Sequence, residues 1–419
     1  MSAPVSDFGD RRGVSFQQIV DGFLRDDGLP FASVLSAERI MRVFAKHAGL
    51  FGFTGVYSTA TVLWAFLNQV LSDGKAAACQ AAVANISAHC LFLGKVAPTS
   101  DTGDYCRARA KLSEPAIRQL GHDVAEELEQ QADESWLWKG RTPKLIDGFT
   151  FTMPDTEKNQ AEYPQNPAQK PGLGFPIARA VAVISLTTAC VIDAAMGPYA
   201  GKQTGETSLL RRLLGVFGPQ RPKWMDQATY DSIPETIELR ELRFNIVESG
   251  RRTKVLTVVT TLTDVDEFTK EDIAELYGFR WHVELDIRSI KQNLNVNHFR
   301  CKSPEMIRTE FRTTLLAYNL IRSVSATAAL LADVKPRQIS FTGTCQYVLS
   351  AWMVLSLGHS PARGLEPYCR DVLKLIAQCE VGHRPGRLEP RVIKRRRHNY
   401  KLMMKPREIL RAELRKHGT

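Results

Sequence analysis

The sequence predicts an α/β domain carried between two helical regions. Three observations lead there. Residues 15–140 read mostly as helix. From Lys144 the texture changes to short apolar runs and apolar/polar alternation, with brief helical stretches between them. From Thr269 the helical period returns and continues toward a basic end. The length of 419 residues fits two or three domains. The boundaries expected are 1–140, 141–300 and 301–419.

The first region holds SAERIMRVFAKHAGLFG, STATVLWAFLNQVLSDG and SEPAIRQLGHDVAEELEQQAD. The last of these opens with Ser113 as an N-cap, Glu114 in the first turn and Pro115 where proline is tolerated. Between helices lies DTGDYCRARAKLS, where Arg107, Arg109 and Lys111 sit at the start of a helix. Two readings stand for that turn: a grip on DNA phosphates, or an ordinary solvated face.

In the middle region KLIDGFTFTMPD alternates like a strand, and ARAVAVISL and TACVIDAAM predict a hairpin. The run Ala180 to Gly197 is the most apolar in the chain. Ser185, Thr187, Thr188 and Asp193 interrupt it, so two buried strands are expected and no membrane span. YPQNPAQKPGLGFP reads as a Pro/Gly loop and GETSLLRRLL as a short helix. Strands are expected at TIELRELRFNIVE and TKVLTVVTTLTD, the latter in the same sheet as Asp147. One long helix is expected from Thr269, as its cap, to Leu294. PEMIRTEFRTTLLAYNLIRSVSATAALL and TCQYVLSAWMVLSL follow as helices.

At 44% hydrophobic and 24% charged, the composition is that of a soluble globular protein. Eight cysteines without a CxxC pair and nine histidines without an HxxxH pair argue against a disulfide framework or a zinc site. The opening MSAPVSDFGDRRG is polar and charged, so no signal peptide is expected and a reducing cytoplasm fits. The net charge is +10, and the last forty residues hold thirteen Lys/Arg against four Asp/Glu. Lys394, Arg395, Arg396 and Arg397 form the densest part of that tail, which reads as a nucleic-acid contact.

YGFRWHVELDIRSIK, residues 277–291, poses the central question. At 100° per residue, Tyr277, Arg280, Glu284 and Lys291 fall within about 60° of one another. Leu276, Val283, Ile287, Ile290 and Leu294 form an adjoining apolar stripe, and Trp281 borders the polar face. Spacing alone leaves two readings side by side. One is a surface helix with ion pairs such as Arg280–Glu284, contributing about 0.2–0.5 kcal/mol each. The other is a metal-binding carboxylate ringed by phosphate-binding groups.

This stretch matches Y-x2-R-x3-E-x6-K, and it resembles the signature of the insertion-sequence-four-like family of bacterial DDE transposases. The likeness extends from about Thr102 to Arg407. TGDYCRARAKL, DGFTFTMPDT, NQAEYPQNPAQKPGLGFPIARAV, GPYAGKQTGETSLLRRL and RPGRLEPRVIKRR are all similar to stretches of that family. The resemblance implies an RNase H-like core flanked by helical regions, and cut-and-paste movement of an insertion sequence. It implies Asp147 and Glu284 as catalytic carboxylates binding Mg²⁺ in a two-metal site. It implies double-stranded DNA as partner, at terminal inverted repeats and at the target, held by a homodimer in the nucleoid. Tyr277, Arg280 and Lys291 would then contact DNA, with Arg107, Arg109 and the tail.

The sequence departs from the family at one place. The second catalytic Asp is expected on a buried strand after the helix at Gly205–Leu214. Here that helix runs into GVFGPQRPKWMDQATYDSIPET, which holds three prolines and no apolar run of strand length. The core is therefore expected to lack one strand and its Asp, with Asp226 and Asp231 off the site. The alternative function is a catalytically inactive DNA-binding remnant of such a transposase.

Overall fold

The computed structural model describes residues 35–52, 55–92, 94–213, 238–245, 255–294, 296–297, 299–356, 364–382 and 403–417. Among the described residues five α-helices come first: α1 (Ala37–Lys46), α2 (Thr59–Leu71), α3 (Cys79–Phe92), α4 (Gly103–Arg109) and α5 (Glu114–Gln130). Their starts follow local chemistry. Ser36, Ser58 and Ser113 each accept a hydrogen bond from a backbone N–H in the first turn, satisfying a donor that has no partner within the helix. In α5, Ala116, Ile117, Leu120, Val124, Ala125 and Leu128 recur at helical spacing and are buried.

The sheet consists of β1 (Lys144–Thr152), β2 (Ile177–Ser185) and β3 (Val191–Pro198), antiparallel in the order β1-β2-β3. β2 and β3 are the hairpin expected from the apolar run, and β2 is central. Its even residues Ala178, Ala180, Ala182 and Ile184 belong to the main core, while Val181 and Val183 are buried on the other face. Burial of both faces is why this strand reads as continuous apolar sequence. The short helices α6 (Glu157–Glu162) and α7 (Glu206–Leu213) flank the hairpin in sequence, and α7 packs on β2 and β3.

The strand expected near Val255–Leu262 is present, but not in this sheet. β4 (Arg240–Asn245) and β5 (Val255–Thr260) form a separate two-stranded antiparallel unit. Residues along β5 alternate between half-buried and exposed, which suits a hairpin covered on one face rather than a strand inside a sheet. The hairpin shares a small core with Trp138, Phe268 and Ile273 through Leu242.

The long helix expected from Thr269 to Leu294 is instead two. Thr269 caps α8 (Lys270–Gly278) in a reciprocal capping box with Asp272, and α9 (Trp281–Asn293) follows. At the junction the ladder tightens to i→i−3 bonds, Arg280 to Tyr277 at 3.0 Å and His282 to Phe279 at 2.9 Å. Three residues per turn keep Tyr277 and Arg280 in line, so the break does not scatter that face.

Four further helices complete the described chain: α10 (Pro304–Ala332), α11 (Phe341–Ser356), α12 (Leu365–Ala377) and α13 (Arg407–His417). α10 is long and apolar enough to cross a membrane, yet 83% of its apolar window is buried inside the fold. It packs on α2, α5, α9, α11, α12 and β3. One hydrophobic cluster runs from Leu35 to Ile376, so the helical regions and the sheet share a core across residues 140 and 300.

Asp193 on β3 is a joint of that core. Arg118 bonds it from α5, His122 lies 3.1 Å away, and Arg312 donates at 3.3 Å from α10. Burial alone would raise its carboxyl, but His122 and Arg118 hold it below the usual range. A depressed carboxylate stabilises the fold above its unfolded value and loses that contribution as pH falls through the folded value. Asp193→Asn should therefore cost about 3 kcal/mol at pH 7. The difference from the unchanged chain should shrink below about pH 4, as read by urea denaturation at both pH values.

Candidate active site

β1 and α9 pack against each other, and they carry the two carboxylates singled out in the sequence. Asp147 pairs in register with Ala182, so it lies on the core face of the sheet with Leu145, Phe149 and Phe151. Phe151 anchors the strand by stacking on Phe311 of α10 and meeting Phe299 edge-on. Glu284 stands in the first turn of α9, half-exposed, where Arg280 lies 3.3 Å from its Oε1. That pair is exposed enough to contribute only about 0.3–0.5 kcal/mol.

β1 is an edge strand among the described residues. Its far end is closed by bonds from Thr152 N–H to the Asn297 carbonyl and from Phe299 N–H to the Thr152 carbonyl. No described strand lies beside Ile146–Thr150, and the Ile146 side chain is 43% exposed. The Gly148 N–H on this edge is taken by the Oδ1 of Asp147 itself, at 2.9 Å. Gly148 also leaves room for a close approach from the opposite face. A Cβ there would come within 2.4 Å of the carboxyl carbon of Glu206, at the start of α7.

Tyr277 and Trp281 are exposed near Arg280, and Lys291 is half-buried in the last turn of α9. Arg107 and Arg109, expected at the start of a helix, stand instead in the last turn of α4, where Arg107 faces solvent and pairs with Asp104. Arg109 turns inward: it donates to Gln69 at 3.1 Å, and its guanidinium lies 4.8 Å from the Phe66 ring centre. Lys394, Arg395, Arg396 and Arg397 lie outside the described residues, as do Asp226 and Asp231. Among the described residues, no group of three or more His, Cys, Asp or Glu side chains is gathered to hold a metal ion.

The sequence reading missed Asp286. Two residues beyond Glu284, it is 1% exposed, and it accepts bonds from Arg322 at 3.0 Å and Arg337 at 2.7 Å. Tyr318 lies between, its hydroxyl 3.2 Å from Asp286 and accepting from Arg322 at 2.9 Å. The available signal was a carboxylate beside the apolar stripe of Val283, Ile287 and Ile290. A charge in that position needs buried partners.

Asp147, Glu284 and Asp286 lie within a recognisable domain. Residues 138–320 match the family model of the transposase DDE domain, so the chain carries such a domain and is, by homology, a DNA transposase. Over 342 aligned positions it is 28% identical to transposase InsG of insertion sequence element IS4 from Escherichia coli K12. That match takes in 70% of this chain and 76% of the relative. Seventy per cent of 419 residues falls well short of 342, so tens of aligned positions in the relative face gaps here. A 67-residue stretch is 33% identical to the transposase of insertion sequence element IS421 and to putative transposase InsL of IS186A, both from Escherichia coli, covering 18% of each. No solved structure matches the chain.

Tyr318→Phe tests the buried network. It leaves the Arg322 Nε–H without its acceptor in a dry site, so the chain should lose about 1–3 kcal/mol of stability. Denaturant unfolding with an unchanged slope is the measurement.

Proposed function

We propose that this transposase acts on double-stranded DNA at insertion-sequence ends, with Asp147 and Glu284 as the remaining acidic pair of an RNase H-like centre that lacks one strand. The observation that carries the reading is the packing of β1 on α9, which makes neighbours of the elements bearing those two residues. The cations Arg280 and Lys291 lie on α9 or at its start, next to exposed Tyr277 and Trp281. They are the group types that hold a DNA backbone and stack on its bases.

The donor chemistry fits one Mg²⁺. That ion takes hard oxygen ligands and commonly needs only one or two carboxylates, with waters and substrate phosphates filling the rest. A pair of ions needs a further carboxylate between them. When bound, Mg²⁺ supplies Lewis-acid polarisation of a phosphodiester. Asp147 and Glu284 would hold it, while Arg280, Lys291 and Tyr277 orient the strand. The loss of the second Asp is supported by the gapped alignment to the IS4 relative and, among the described residues, by the uncovered edge of β1.

Those same two observations favour a second reading, in which the chain binds element ends without cutting them. The experiment that separates the readings has two arms. Excision from a supercoiled plasmid in Mg²⁺ is expected for the first reading and absent for the second. A gel shift on terminal inverted repeats is expected for both, and its failure would overturn both.

The tail has its own test. Each phosphate held by a Lys or Arg contributes about 0.9 to the slope of log K against log salt on B-DNA. Removing residues 393–419, which include Lys394–Arg397, should flatten that slope by about 0.9 for every phosphate the tail neutralises. An unchanged slope would move DNA binding to the rest of the chain, with the TGDYCRARAKL region, and Arg107 in it, first in line.

A further inference from the structure

Asp286 and its partners are more costly than packing requires. One carboxylate and two guanidiniums are withdrawn from water between α9, α10 and the turn at Pro336–Gln338. Apolar side chains of similar volume would fill the space with less desolvation, and the best-attested use of such a network is to fix register. The bonds here do fix one. Arg337 holds Asp286 through Nη1, while its Nε and Nη2 donate at 2.6 Å to the carbonyls of Leu186 and Ser185. Ser185 stands opposite Lys144 in the β1–β2 register, three rungs from Asp147, or about 10 Å along the strand. The guanidinium of Arg337 therefore clamps α9 to the end of the sheet that carries Asp147. Arg322 makes a second clamp, from Asp286 to α10.

Asp286 and Glu284 are two residues apart, so they point from nearly opposite sides of the helix. A carboxylate about 6 Å from the helix axis moves about 1 Å for each 10° of rotation. Metal ligation tolerates roughly 0.5 Å of misplacement. Holding the inner side of α9 thus decides whether the outer side can ligate.

We propose that Asp286 is a positioning residue: anchored by Arg322 and Arg337, it sets the rotation of α9 and aims Glu284 at the divalent-cation site shared with Asp147. This rests on the metal reading of Asp147 and Glu284 given above.

The test uses Mn²⁺ as probe on the full chain. Affinity is measured by calorimetric titration, and location by Fe²⁺/ascorbate cleavage of the backbone beside bound iron. Neither readout needs catalytic turnover. Glu284→Ala should abolish binding, and Asp286→Asn should weaken it about 10–100-fold, the usual effect of losing an outer-shell partner. Arg337→Lys keeps a cation on Asp286 but removes the fork onto Ser185 and Leu186; it should weaken binding likewise, and it carries the test if Asp286→Asn does not fold. Iron cleavage beside Asp147 and Gly148 should fade in all three. A purely structural network would lower the melting midpoint of Asp286→Asn and Arg337→Lys and leave Mn²⁺ affinity at 20 °C unmoved, and that result overturns the positioning role alone. Mn²⁺ binding that ignores Glu284→Ala, or that is absent from the unchanged chain, overturns the metal reading beneath it.

Discussion

The fold depends on α10 being buried along most of its length while still carrying charge. A buried polar or charged side chain has to find a partner, and those on this helix find theirs across several neighbours. Arg312 bonds Glu114 at the start of α5 and Asp193 on β3. Asn319 bonds both backbone groups of Val191 and the carbonyl of Gly121, tying β3 to α5. Glu310 accepts the backbone N–H groups of Arg300 and Cys301, which places the chain entering the helix. Arg322 holds Asp286 and with it α9. A slide or rotation of α10 would strand several of these groups at once, so the helix acts as a register pin for the sheet and for both helical regions.

That pinning joins the same three regions that the shared hydrophobic cluster runs through. Apolar burial is non-directional and would tolerate α9 in several rotations against β1. The polar joints reject all but one. They cost the desolvation of several charges, and they define the relation between the strand bearing Asp147 and the helix bearing Glu284.

Much of this was legible in the sequence where the signal is local. Ser113 with Pro115, Thr269 with Asp272, and the interrupted apolar run of the hairpin each encode their own conformation within a few residues. The signals failed where the deciding contacts are distant. The tightening at Phe279–Arg280 carries no proline and keeps an ordinary helical period; its one local mark is Gly278, the last residue of α8, which the sequence reading passed over. β5 looks like any alternating strand, and its exclusion from the main sheet depends on which face of it is covered. Arg109 reads as a phosphate-binding cation until Phe66 and Gln69, forty residues earlier, are seen to receive it. Asp286 was hidden for the same reason: its partners lie 36 and 51 residues away. Spacing alone left Glu284 between two readings, and Asp147 and Glu284 were named together only through the family resemblance; the uncovered edge of β1 among the described residues was not legible at all.

The edge of β1 that no described strand covers bears on Asp147 directly. An edge N–H with no neighbouring strand turns to the nearest acceptor, and for Gly148 this is the carboxylate of the preceding residue. A strand lying along Ile146–Thr150 would offer a backbone carbonyl to that N–H and leave Asp147 free to turn toward the face it shares with α9. Among the described residues no strand lies there, and Asp147 carries that bond instead. An ionised carboxylate has two oxygens and about four acceptor sites, so a cation could be held by Oδ2 or by the second lone pair of Oδ1 without displacing the Gly148 N–H. The bond therefore limits how the Asp147 side chain turns and leaves it open to the divalent ion proposed above.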